Sequence, residues 1–126
     1  MAHRDELSTL RERRFAANQT VFRRANERLH RQIEDGARGS VQYVCECGAD
    51  GCGEVVSLLP SEYEYVRSNP TWFLIALGHK ILPGDSERVL ETHAQHHVVA
   101  KSGAAGEVAE AMDTRRNRTA FLGRLR

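Results

Sequence analysis

The sequence predicts an α+β domain, on three observations. The first third has helix-forming composition with no Pro or Gly between Asp5 and Asp35. The middle breaks into short β-branched and aromatic segments separated by Gly and Pro. The chain's only three cysteines fall within one Gly-rich loop, Cys45-Glu-Cys47-Gly48-Ala-Asp-Gly51-Cys52-Gly53. At 126 residues there is material for one core of ordinary size. The predicted architecture is a small antiparallel sheet with a zinc-bound hairpin loop, a short central helix, a long N-terminal helix and a short C-terminal helix.

The N-terminal segment is dominated by Ala, Arg, Glu, Leu and Gln, all favourable in a helix interior. It predicts one long helix, or two with a break near Asn18-Gln-Thr20. Leu7, Leu10, Phe15, Phe22, Ala25, Leu29 and Ile33 recur at helical spacing and define the expected buried stripe. The stripe fits packing on the helix's own domain, or an arm that self-associates or binds a protein partner. Gly36-Ala-Arg-Gly-Ser40 supplies a stop.

Val41, Tyr43 and Cys45 alternate with Gln42 and Val44 and predict a strand entering the cysteine loop; Glu54–Leu59 predicts its antiparallel partner. Pro60 with Ser61-Glu62-Tyr63-Glu64 marks a helix start, Ser61 capping and Glu64 completing a capping box. That helix must stop before Pro70, whose ring steers Asn69 out of the α region. Thr71–Leu77 predicts a buried strand ended by Gly78. Pro83-Gly84-Asp85 is a turn signal, Glu87–His93 fits either helix or strand, and His97–Lys101 is strand-like. Gly103–Met112 has helical spacing, and beyond Asp113 the chain is polar and Arg-rich. The expected division is an N-terminal helical arm (1–36), a compact metal-binding unit (37–112) and an Arg-rich tail (113–126).

Charge is uneven. Residues 1–35 carry eight arginines against six acids, 36–110 five bases against ten acids, and 111–126 five arginines against one Asp. Basic ends around an acidic middle raise nucleic acid as a possible partner, not the favoured one, with Arg11, Arg13, Arg14, Arg23, Arg24, Arg115, Arg116 and Arg118 as candidate phosphate contacts. The longest strongly apolar run, Trp72–Leu77, is too short to cross a bilayer, so no membrane association is expected. The N-terminus has no apolar run of the secretory kind, and a cytoplasmic location is the expectation.

Three thiols in a glycine-rich loop point to metal ligation, because Gly permits the positive φ angles a tight ligand loop requires. A reducing cytoplasm disfavours disulfides, and an odd count leaves one thiol over. Zinc takes four thiolate or imidazole ligands, so Cys45, Cys47 and Cys52 need a fourth. His79, just beyond a predicted strand and a glycine, is the leading candidate; His93, His96, His97, Asp50 and Glu54 are alternatives. His96 and His97, adjacent on a strand, face opposite ways and cannot share an ion; they read as surface histidines on a hairpin. Tyr63, Tyr65 and Trp72 read as core or near-core. An iron–sulfur cluster would lack a fourth cysteine, and a thiol-based redox or metal sensor is a further reading. There is no His-Glu-x-x-His, phosphate-binding loop, dinucleotide glycine fingerprint or Gly-x-Ser-x-Gly, so a non-enzymatic regulatory or protein-interaction module is expected.

The order Tyr43-Val-Cys-Glu-Cys-Gly48, Cys52, Leu59-Pro-Ser-Glu-Tyr-Glu-Tyr-Val-Arg67, Pro70, Phe73 and Gly78-His79 resembles a family of small uncharacterised bacterial proteins, mainly actinobacterial. The resemblance covers about residues 12–110 and is specific from Tyr43 to His79. It implies a fold and a site, with His79 preferred over the other histidines, but no activity. The chain departs from the family pattern at Ala76-Leu77, where a proline precedes the Gly-His pair in family members, and in its longer Arg-rich tail.

Overall fold

The computed structural model describes residues 2–33, 39–48, 52–79 and 87–115, with side chains from Glu6 onward except at position 8. It is an α+β fold in which, among the described residues, three helices surround two small antiparallel sheets. The turn expected at Pro83-Gly84-Asp85 and most of the tail lie outside the described residues.

Helix α1 runs unbroken over Ala2–Arg31, about 45 Å at the usual rise, with no interruption at Asn18-Gln-Thr20. Its buried face differs from the apolar stripe the sequence suggests. Leu7, Leu10 and Ala25 are exposed, whereas Ala16, Gln19, Thr20, Arg23, Asn26 and Glu27 are buried. Only the far end of the stripe, Leu29 and Ile33, packs on the core. The inner face is polar because it supplies hydrogen bonds to backbone that the sheets leave unpaired. Asn26 Nδ2 donates to the Val44 carbonyl at 2.8 Å while Asn26 Oδ1 accepts the Val44 N–H at 2.8 Å, as a neighbouring strand would. Arg23 donates to the carbonyls of Pro70 and Ala109, at 2.6 and 2.8 Å, and stacks over Phe73.

Strands β1 (Val41–Val44) and β2 (Val55–Leu58) form the expected hairpin, Val41 opposite Leu58 and Val44 opposite Val55. Helix α2 spans Pro60–Arg67, with Pro60 in the first turn, where its missing N–H costs nothing. The cap differs from expectation: Leu59, not Ser61, precedes the helix, and its N–H donates to Glu62 Oε1 at 2.8 Å. Ser61 already lies inside the first turn, so Glu62 rather than Glu64 occupies the third position.

The remaining strands, β3 (Trp72–Ala76), β4 (Glu87–Thr92) and β5 (His96–Lys101), form a second sheet in the order β3-β5-β4. The segment ambiguous in sequence, Glu87–Thr92, is thus a strand, with a bulge between Val89 and Glu91. Helix α3 (Gly103–Ala111) follows and packs against α1. Where one sheet was expected there are two, because the outer edge of β3 meets no full ladder. The Cys45–Cys47 segment lies along it instead: the Glu46 N–H donates to the Leu74 carbonyl at 2.8 Å, and the Ala76 N–H to Cys45 Sγ at 3.2 Å. Tyr43, Tyr63, Phe73, Leu74, Val98 and Val99, all fully buried, centre the core between the sheets and helices.

Candidate metal centre

Three chain segments converge at one end of the β1–β2 hairpin. Cys45 and Cys47 follow β1, and the Cys45 N–H donates to the Glu54 carbonyl at 2.9 Å, closing the base of the loop. Cys52 lies just before β2. His79 follows β3 after Gly78, whose φ of +81° turns the chain in a way an L side chain resists. Gly48, at φ +73°, lets the loop pass close over α1: a Cβ there would come within 2.7 Å of Gln19 Cγ.

The ligand atoms of Cys45, Cys47, Cys52 and His79 all lie within 4.8 Å of one another, an arrangement that could hold a metal ion. Among the described residues, this is the group of three or more His, Cys, Asp or Glu that does so. Cys45 Sγ is 3.2 Å and Cys52 Sγ 3.5 Å from His79 Nδ1, so that nitrogen faces the sulfurs. His79 Nε2 lies farther from the sulfurs, 4.0 Å from Cys52 Sγ, and 2.9 Å from Glu54 Oε2. Cys45 and Cys47 are buried, while Cys52 and His79 are half-buried and form the open rim. Burial pushes the Cys45 thiol well above its ordinary range, against the lowering effect of the Ala76 N–H. A cation among the sulfurs reverses that balance by favouring thiolate.

Glu46, between the two buried cysteines, went unremarked in the sequence, yet it anchors the centre. Alternation sends its side chain away from the sulfurs into a fully buried pocket. There Oε2 accepts from Asn26 Nδ2 at 2.9 Å and the Tyr63 hydroxyl at 2.7 Å, and Oε1 accepts the Leu74 N–H at 2.9 Å. One carboxylate thereby ties the ligand loop to α1, α2 and β3. Burial raises its pKa, opposed by the Asn26, Leu74 and Tyr63 bonds and by the Arg67 charge. The available signal was a carboxylate flanked by two ligands in a strand-like segment, which must face inward if the ligands face the loop.

The other candidates separate. Glu54 approaches the centre through His79, and Asp50 lies outside the described residues. His93, His96 and His97 stand apart from the cysteines. His96 is not a surface residue as expected: it is buried and stacked against His93, because the β4–β5 turn folds over α2 beside Tyr65 and Glu62. His97 lies 2.9 Å from the Thr92 hydroxyl. Tyr63 is core, Trp72 half-buried and Tyr65 exposed.

The arginines also sort. Arg23 is buried and committed to backbone carbonyls, which removes it from the phosphate contacts considered above. Arg115 is engaged by Glu27 and Glu64 at 2.9 and 2.7 Å, and Arg13 by Glu107 at 3.2 Å. Arg11, Arg14 and Arg24 are exposed. Arg116 and Arg118 lie outside the described residues.

No known protein family, curated protein or solved structure matches the chain. Among the described residues, no helix is long and apolar enough to cross a membrane.

Proposed function

We propose that this chain is a zinc-stabilised, non-enzymatic regulatory or interaction module of the cytoplasm, holding one zinc ion through Cys45, Cys47, Cys52 and the Nδ1 of His79. The carrying observation is the direction of the His79 ring. A tetrahedral zinc site with ordinary bond lengths separates sulfur from nitrogen by about 3.6 Å. The two sulfur-to-Nδ1 separations, 3.2 and 3.5 Å, lie close to that edge. Glu54 at 2.9 Å from Nε2 fixes the proton on the far nitrogen and leaves the Nδ1 lone pair for the metal.

The chemistry of the donor set supports zinc over harder cations, which prefer oxygen. Four protein ligands fill a tetrahedron and leave no position for an activated water, which supports a structural rather than catalytic ion. Zinc–thiolate ligation also accords with a reducing compartment. The ion would join the hairpin to the end of β3, supplying a cross-link in a domain whose α1 interface is largely polar.

Chelation tests this reading. Protein purified without chelator should melt in one cooperative transition by circular dichroism, and stripping the metal should abolish that transition, with recovery on adding zinc. An unchanged melting curve after complete metal removal would contradict it.

A further inference from the structure

We infer that the outward face of α1 is a docking surface for the phosphate backbone of a nucleic-acid duplex, through Arg11, Arg14, Arg24 and Arg28. This deepens the interaction role proposed above and rests on it; the two can fail separately.

At about 100° per residue, the buried positions of α1 centre near Arg23 and Gln19, and the opposite direction passes through Arg14 and Val21. On and beside that outward face lie Leu7, Leu10, Arg11, Arg14, Asn18, Val21, Arg24, Ala25 and Arg28. All are exposed. The four arginines make no ion pair or hydrogen bond among the described residues, unlike Arg13, Arg23 and Arg115. From Leu7 to Arg31 the helix has only two acids, Glu12 and Glu27. Neither neutralises the outward face: Glu27 is buried against Arg67 and Arg115, and Glu12 acts on Lys101 across the inner side. A chain of net charge +1 has therefore placed along one side of a single helix four cations that have no ion-pair partner among the described residues.

From Arg11 to Arg28 this face extends about 26 Å. A duplex presents about one negative charge per 1.7 Å of its axis, and guanidinium is suited to phosphate through paired N–H donors. Two other occupants fit less well. A second copy of α1 would set Arg11, Arg14 and Arg28 against the same residues, with only Leu7, Leu10 and Val21 as apolar compensation. A lipid surface requires a broad apolar face, and here arginines interrupt three scattered aliphatic side chains.

The test is fluorescence anisotropy of a labelled 20-base-pair DNA duplex of mixed sequence with the full-length, zinc-loaded chain between 50 and 200 mM salt. Four phosphate contacts predict a log–log slope of about −3.6, an affinity loss of about 150-fold over that range. Replacing Arg11, Arg14, Arg24 and Arg28 together by Gln should bring the slope near zero while leaving zinc content and melting temperature unchanged, since these exposed side chains make no hydrogen bond or ion pair among the described residues. Absence of binding at 50 mM salt would overturn the inference. So would a wild-type slope in the quadruple variant, which would transfer binding to the tail, or equal binding to anionic vesicles or poly-glutamate. Zinc content measured on the same sample separates the two readings: one zinc per chain with no duplex binding sinks this inference and leaves the metal centre standing.

Discussion

Replacing Glu46 by Gln probes the link between the metal loop and the helices. The carboxylate accepts three hydrogen bonds, from Asn26 Nδ2, the Tyr63 hydroxyl and the Leu74 N–H, while fully buried. A Gln of the same shape keeps its oxygen for the Leu74 N–H but presents an NH2 group to the other two donors. The Tyr63 hydroxyl can rotate to accept; Asn26 Nδ2 cannot. One buried donor left facing another donor costs about 2 kcal/mol, or about 8 °C in melting temperature for a domain of this size. The loss should appear in urea denaturation at saturating zinc, with weaker zinc binding because Cys45 and Cys47 flank the changed residue. Linkage gives a second readout. The folded carboxyl has a pKa above 4.5, so between that value and its folded pKa the folded state holds the extra proton. Stability from this group is therefore fully present below pH 4.5 and falls as pH rises through the folded pKa. The wild-type advantage over Glu46→Gln should consequently widen on acidification from neutrality. A variant as stable as wild type, with a constant gap across pH, would refute the anchoring role of Glu46.

Three further substitutions examine separate parts of the structure. Arg67 is buried between Glu27 and Asp113, each at 2.5 Å, and Arg67→Met should cost about 3–5 kcal/mol in urea denaturation by leaving buried carboxylates short of a partner; a loss under about 1 kcal/mol would contradict this. His96 has its pKa lowered from 6.5 by burial first and then by the His93 charge, against the raising effect of Glu62 and Glu91. Its contribution is fully present above pH 6.5 and lost as pH falls through the folded pKa, so His96→Asn should flatten the pH dependence of stability below 6.5, and an unaltered slope would count against it. Gly48→Ala should cost about 1–2 kcal/mol from the positive φ alone, and adding Gln19→Ala should relieve only the side-chain overlap; full recovery in the double variant would show that φ contributes nothing.

Strands β1, β2, β3 and β5 and the ligand set were legible because they rest on local signals, whereas β4 fitted either helix or strand. Alternation and glycine punctuation located β1, β2 and β3, and three cysteines in one loop with a histidine after Gly78 located the residues that the structure brings together. The orientation of α1 was not legible, because the helix docks through Arg23, Asn26 and Glu27 rather than through Leu7 and Leu10, and hydrophobic periodicity is blind to a polar face satisfied by backbone groups far along the chain. The same blindness made Arg23 look like a surface cation and left Glu46 unnoticed. One sheet became two for a related reason: a side-chain carboxylate and a thiol serve the β3 edge, where strand patterns suggest only another strand. His96 was hidden because its cover is α2, which no pairing rule connects to the β4–β5 turn.

Native mass spectrometry with elemental analysis, on protein purified without chelators, tests the metal centre most directly when wild type is compared with Cys47→Ser and His79→Ala. One zinc per chain in wild type, lost or weakened in both variants, is the predicted result. Full retention of zinc in His79→Ala, or wild-type protein free of bound metal, would contradict the Cys45, Cys47, Cys52 and His79 centre.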